Sequence, residues 1–373
     1  MAGRIVVFGA TGYTGRLLAE ALLARGVEPL LAGRSEARLR ALAADLGGGL
    51  ETQAADIERP ETVAALVRPG DVLVSTVGPF TRWGDPALQA AIAAGAHYLD
   101  STGETPFIRR VFERFGGAAE AAGCGLLTAF GYDWVPGNLA GALALREAGE
   151  SAVRVDVGYF ITGAASASGG TRASAAEALL APSYGWRDGR LVTERGAARM
   201  RSFDLDGHAR AGVSVGTSEA FALPRERPGL REVNVYLGWF GPAARPLTVL
   251  SPGLDLFRRI PLAGDLPRLL ARRVLTGSSG GPDAAERARS GSHIVAIAYA
   301  AGGAQLARVD LSGVNGLRLH RAHPGLGRAA GARAGPAGRR GARPGGGIRP
   351  RRAGGRSRRG GHLRTLTHLC QGW

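Results

Sequence analysis

The stretch VVFGATGYTGRLLAEALL, residues 6–23, sets glycines at positions 9, 12 and 15 where an apolar run gives way to helical spacing. RIVVF (4–8) reads as a buried parallel-type strand, and GRLLAEALLARG (15–26) as a helix with Leu17, Leu18, Leu22 and Leu23 on its apolar face. Each glycine has its own use in such a junction. Gly9 lets the chain turn sharply, Gly12 clears space for a pyrophosphate to approach the backbone, and Gly15 lets the helix pack closely on the strand. The helix N-terminus then turns its N–H groups and positive dipole end towards the phosphates. Gly9, Thr11, Gly12, Tyr13, Thr14 and Gly15 are therefore candidate cofactor-binding residues. A glycine turn alone is a weak signal, because it can be purely structural.

The next strand sharpens the reading. EPLLAGRSEARLRALA (28–43) ends its strand at Gly33, Arg34 and Ser35, where a dinucleotide fold meets the adenosine ribose. An acidic residue there would hold the 2′-hydroxyl of NAD, whereas arginine and serine suit a 2′-phosphate, so NADP is the expected cofactor. The competing reading is that Arg34 and Ser35 only cap the next helix. A third strand, LETQAADI, ends near Asp56, a candidate adenine contact, and a fourth, DVLVSTVGPF (71–80), ends at Gly78 and Pro79 beside the pyrophosphate and nicotinamide ribose. DPALQAAIAAGAHYLD and GCGLLTAF continue the βα rhythm, so residues 1–150 are expected to form a doubly wound parallel sheet of Rossmann type.

Length suits about two domains in 373 residues, and 45% apolar residues suffice for two cores. No run of eighteen apolar residues is present, and no apolar export leader follows Arg4, so a cytoplasmic setting is expected. Cys124 and Cys370 form neither a disulfide framework nor a metal motif. The net charge of +16 is carried by arginine alone, and fourteen of the arginines lie after Gly316 with no acid among them, which leaves +2 for residues 1–316. A nucleic-acid partner is not expected from so neutral a body. Residues 317–373 have neither helical nor strand period and read as a disordered basic tail. Three explanations compete: phosphate binding, an inert solvated tail, or out-of-frame translation of a GC-rich gene. Read one base later, codons allowed for residues 317–326 encode Tyr-Asp-Phe-Thr-Gly-Arg-Ile-Leu-Ala-Trp, which has the spacing of a helix, as the written string does not.

Residues 151–316 are expected to form a second α+β domain with a mixed or antiparallel sheet, serving substrate binding or dimerisation. VRVDVGYFITG (153–163) alternates as a half-wet strand, and VNVYLGWF, SHIVAIAYAAG and ARVDLSGV follow as others. GGTRASAAEALL (169–180) reads as a helix capped by Thr171, with Arg172 in its first turn. A cation there opposes the helix dipole and points either to a bound anion or to an ordinary salt bridge. LDLFRRIPLAGDLPRLLARRVL (254–275) mixes apolar residues with arginine and suits peripheral membrane contact, a grip on the acyl chain of a lipid substrate, or surface helices over the sheet. No nucleophile set or metal cluster is evident. Asp100, Glu104, Tyr132 and Asp133 sit in loops at the expected carboxyl edge, and Tyr132 is a candidate proton donor for hydride chemistry, or else a packed aromatic.

GATGYTG, AGRS, STVGPF, HYLDSTGE, GYDWVPGNLAG and SGGTRAS occur in this order, at intervals that resemble the saccharopine dehydrogenase-like NADP-binding family, and most of all its mycobacterial trans-acting enoyl reductase branch. The resemblance covers roughly residues 4–316. It implies an NADPH-dependent oxidoreductase acting on an enoyl group of a polyketide or fatty-acyl thioester, with a polyketide synthase or acyl carrier as partner and a homodimer as one assembly. The alternatives are an imine or amino-acid substrate, or a non-catalytic NADP-binding scaffold or sensor. Family members end with a GY-x-x-T segment opening a helix; here LSGVNG runs into the arginine tail, and the shifted frame restores Tyr-Asp-Phe-Thr at that place.

Overall fold

The computed structural model describes residues 3–131, 134–163, 182–258 and 289–314. A first sheet of six parallel strands comprises β1 (Ile5–Phe8), β2 (Leu30–Gly33), β3 (Thr52–Ala54), β4 (Val72–Ser75), β5 (His97–Asp100) and β6 (Leu126–Leu127), in spatial order β3-β2-β1-β4-β5-β6. The strands are short apolar runs because both faces are covered. α1 (Tyr13–Leu23), through Ala19, and α2 (Glu36–Asp45), through Leu39 and Leu42, pack against Val7 and Leu31, while Leu66, Leu88 and Phe107 fill the other side against Val6, Phe8 and Leu73. Strand order reverses between β1 and β4, and their carboxyl ends define a crevice.

The second sheet is mixed. β7 (Arg154–Gly163) is its centre, paired in parallel with β12 (Glu232–Leu237) and antiparallel with β13 (Ser290–Tyr299), and β14 (Gln305–Val314) lies beyond β13. Two hairpins complete it: β8 (Pro182–Arg187) with β9 (Arg190–Arg195), and β10 (Met200–Leu205) with β11 (His208–Ser214). Alternation along β7 splits its side chains between two cores. Val155, Val157 and Tyr159 face α8 (Val135–Ala148), and Phe160 joins Phe203, Tyr236 and Val295 on the other side. α8 packs against β7, β13 and β14, together with α9 (Glu219–Glu226). α10 (Ala244–Arg258) follows β12.

The doubly wound sheet and the second, mixed sheet are both present as expected. β4 closes at Ser75, earlier than the expected run to Phe80, because its partner β1 ends at Phe8: the Thr76 N–H makes the last rung to the Phe8 carbonyl at 2.8 Å, and Gly9 turns away at φ +89°. The helix expected over residues 169–180, the greater part of 254–275 and the tail 317–373 lie outside the described residues. Among the described residues no helix is long and apolar enough to cross a membrane.

Candidate functional site

The crevice at the switch point is built by four loops. After β1, Gly9 adopts φ +89°, and its N–H and that of Ala10 both donate to the Ala32 carbonyl, tying the turn to the end of β2. A Cβ on Gly9 would stand 2.6 Å from the Thr76 hydroxyl, so the β4 loop closes against this turn. Gly15 is packed harder: a Cβ there would lie 2.3 Å from the Gly9 carbonyl oxygen and 2.8 Å from Ala10 Cα. Gly12 is exposed and meets only the Gly9 oxygen, at 3.2 Å. It forms the N-cap of α1, which has no side-chain cap and no acid in its first turn. Thr11, Tyr13 and Thr14 flank this terminus half-buried.

At the end of β2, Arg34 is exposed and has no carboxylate partner among the described residues. Ser35 caps α2, its Oγ accepting the Arg38 N–H at 3.4 Å, so the capping role holds for the serine and not for the arginine. Asp56 follows β3, and its Oδ1 accepts the Glu58 N–H at 3.1 Å, shaping the turn towards α3 (Pro60–Ala64). Gly78 and Pro79 are exposed in the β4 loop and lead into α4 (Phe80–Trp83).

Two carboxylates stitch the remaining loops. Glu104, buried after β5, accepts from the Phe80 N–H at 2.7 Å, the Thr81 N–H at 2.7 Å and the Thr81 hydroxyl at 2.6 Å. It caps α4 from outside. Asp100 Oδ1 accepts the Thr102 N–H at 2.9 Å and the Ala129 N–H at 2.8 Å, joining the β5 loop to the β6 loop. Burial pushes the Asp100 carboxyl up to about 6, against the pull of the N–H groups of Ala129 and Thr102. Both brace the edge, Glu104 through its two oxygens and Asp100 through Oδ1. Phe130, next along, is 42% exposed, a large apolar residue open to solvent at the carboxyl edge.

The second domain reaches this edge through residues 215–219. The Thr105 hydroxyl donates to the Gly216 carbonyl at 2.9 Å, and Asn138 Nδ2 in α8 donates to the Ser218 hydroxyl at 2.9 Å. Tyr159 donates its phenol hydrogen to Glu219 Oε1 at 2.6 Å. Sequence reasoning gave no hint of Glu219: an acid opening an amphipathic helix reads as exposed, and only packing against β7 and α8 buries it. Tyr132, Asp133 and Arg172, the catalytic candidates, lie outside the described residues. No group of three or more potential metal ligands occurs among the described residues.

Comparison with known proteins agrees with this geometry. Residues 5–124 match the family model of the saccharopine dehydrogenase NADP binding domain. A candidate trans-acting enoyl reductase of Mycobacterium tuberculosis is 33% identical, over 84% of this chain and 85% of that protein. The trans-acting enoyl reductase of Mycobacterium leprae is 39% identical over 36% of this chain and 34% of its own. Among solved structures, apo saccharopine dehydrogenase (L-Glu forming) of Saccharomyces cerevisiae shares the fold with a TM-score of 0.50 and 14% identity, over 86% of this chain and 88% of that one.

Proposed function

The chain belongs to the saccharopine dehydrogenase-like family, in the branch of the trans-acting enoyl reductases, and from that premise we propose that it reduces the carbon–carbon double bond of an enoyl thioester. It is an NADP-dependent oxidoreductase. The observation that carries the enoyl reading is the relative whose likeness spans 85% of its own length. In a trans-acting enzyme the acyl chain arrives on another protein, so an acyl carrier or polyketide synthase is the partner proposed.

The residues at the crevice fit the cofactor. Gly12 leaves α1 open where a phosphate approaches, and α1 has no side-chain cap in competition. Arg34, exposed and without a carboxylate partner among the described residues, supplies a fork for the 2′-phosphate, with Ser35 beside it. Bound NADPH supplies the hydride. The chain's part is to hold the diphosphate on α1, to keep the β4, β5 and β6 loops fixed through Glu104 and Asp100, and to offer apolar surface at Phe130 for an acyl chain. Tyr132 is proposed to donate the proton and Arg172, with Asp133, to orient the thioester.

NADPH oxidation followed at 340 nm with a panel of 2-enoyl thioesters and cyclic imines tests the reading. Turnover of enoyl thioesters supports it; turnover of imines alone overturns it.

A further inference from the structure

The junction between α8 and the second sheet contains a buried polar cluster that cofactor binding does not explain. Glu219, Ser218 and Thr217 are fully buried, Trp134 and Asn138 nearly so. Trp134 opens α8 with φ +106°, a strained conformation for a bulky residue. Two side-chain contacts hold it there, and a third bond supports the second. Asn138 Nδ2 donates to the Trp134 carbonyl at 2.9 Å as well as to Ser218. The Trp134 indole meets the Tyr159 ring edge-on, with centroids 5.3 Å apart. Tyr159 in turn donates to Glu219. The fit is tight enough that a Cβ on Gly137 would fall 1.9 Å from the Tyr159 hydroxyl and 2.5 Å from Glu219 Oε1. Among the described residues, Asn138 Oδ1 and Trp134 Nε1 have no hydrogen-bond partner, and Glu219 Oε2 has none beyond the neighbouring Thr217 and Ser218 hydroxyls. Asn138 Oδ1 can only accept, and a proton on Glu219 would give this buried cluster a further donor.

We propose that Glu219 and Tyr159 form a proton-carrying latch that fixes Trp134 at the start of α8, where residues 215–219 meet the carboxyl edge, making Glu219 a positioning residue for the reduction. With Glu219 protonated, the carboxyl accepts from Tyr159 and donates its own hydrogen within the cluster. Ionising it places a charge at the junction with no cation among the described residues that face it. Tyr159 on β7 and Tyr184 on β8 are the titratable groups there; Arg109 and Glu113 act on Tyr184 in turn, and the α8 residues in contact, Trp134, Gly137 and Asn138, carry no charge. Burial pushes the Glu219 carboxyl up to about 7, opposed by the hydroxyls of Thr217 and Tyr159. The latch therefore loosens across neutral pH, as water enters to solvate the carboxylate.

The test is a pH titration from 5.5 to 9 of the Trp134 fluorescence, taken as the difference between the protein and its W134F variant, alongside kcat and NADPH affinity. The expected result is a transition near pH 7 that is absent in E219Q. Y159F keeps the ring on Trp134 and removes only a bond that favours the carboxylate, so it moves the transition up by about one pH unit. It lowers kcat about tenfold and leaves NADPH affinity within twofold. Absence of the transition in the unmodified protein, its persistence in E219Q, or an unmoved transition in Y159F overturns the latch; should E219Q not fold, Y159F decides alone. The kcat arm rests on the reductase reading above. If no thioester or imine is turned over, that reading fails, while the fluorescence titration still decides the latch.

Discussion

Gly12 and Gly15 lie three residues apart in one turn, yet the structure assigns them separable costs. A methyl at Gly15 would sit 2.3 Å from the Gly9 oxygen and 2.8 Å from Ala10 Cα, both backbone atoms that move only if β1 and α1 part. Such overpacking costs about 1–3 kcal/mol. At about 2–4 °C per kcal/mol for a domain of this size, Gly15→Ala should lower the melting temperature by several degrees. Gly12 has φ −80° and ψ 165°, which any residue adopts, and its Cβ would meet one atom at 3.2 Å. Gly12→Val should therefore change stability by less than about 1 kcal/mol. Its branched side chain would stand over the α1 N-terminus and weaken NADPH binding at least thirtyfold, about 2 kcal/mol. Thermal melts without cofactor and fluorescence titration with NADPH read the two effects separately. Wild-type NADPH affinity in Gly12→Val, or a wild-type melt for Gly15→Ala, would refute the reasoning.

Arg34→Asp should reduce or reverse the preference for NADPH over NADH, which a charge-assisted phosphate pair sets at about 1.5–3 kcal/mol; equal titration curves for the two cofactors in the unmodified protein would sink the assignment. Glu104→Ala leaves the Phe80 and Thr81 N–H groups without their acceptor and should cost about 2–4 kcal/mol by urea unfolding; a cost under 1 kcal/mol contradicts the bracing role. Asp100 is held near 6 in the fold against an ordinary 3.8, so the folded state binds its proton more tightly. Its contribution is complete below pH 3.8 and is lost as pH rises through 6, roughly 3 kcal/mol in all. Asp100→Asn should flatten the stability profile between pH 4 and 6, and an unchanged slope would refute this.

The first domain was legible because a parallel sheet covered on both faces writes its strands as unbroken apolar runs, and because the glycine turn fixes what precedes and follows it. The long strands β7, β13 and β14 were legible for a different reason, their alternation over ten residues each. The hairpins β8–β9 and β10–β11 were absent from the expectations although the chain marks both. Asp188-Gly189 and Asp206-Gly207 take positive φ at both positions, the tight turn that an Asp-Gly pair between strands signals. Glu219 had no such marker. Its burial depends on Tyr159 and Gly137, 60 and 82 positions earlier, and no local pattern records a contact of that range. Ser35 shows the converse, a residue whose local signal was correct for capping and silent about a ligand.

The placement of β7 at the centre of the second sheet sets an order of assembly. Arg154 pairs with Glu232 on one side and Tyr299 on the other, and Tyr299 emerges 145 positions later. At about 5–20 residues per second, a nascent chain waits roughly 7–30 s between making β7 and making its second neighbour. During that interval Val155, Val157 and Tyr159 have no finished sheet to enter, and a ten-residue strand presents an open edge. The parallel sheet needs no such delay, since β1 finds β2 within about 25 residues and β4 within about 70. Synthesis should thus yield a folded dinucleotide half carrying an adhesive strand until β13 arrives, and chains cut short before Ser290 should aggregate through β7 rather than through the cofactor domain.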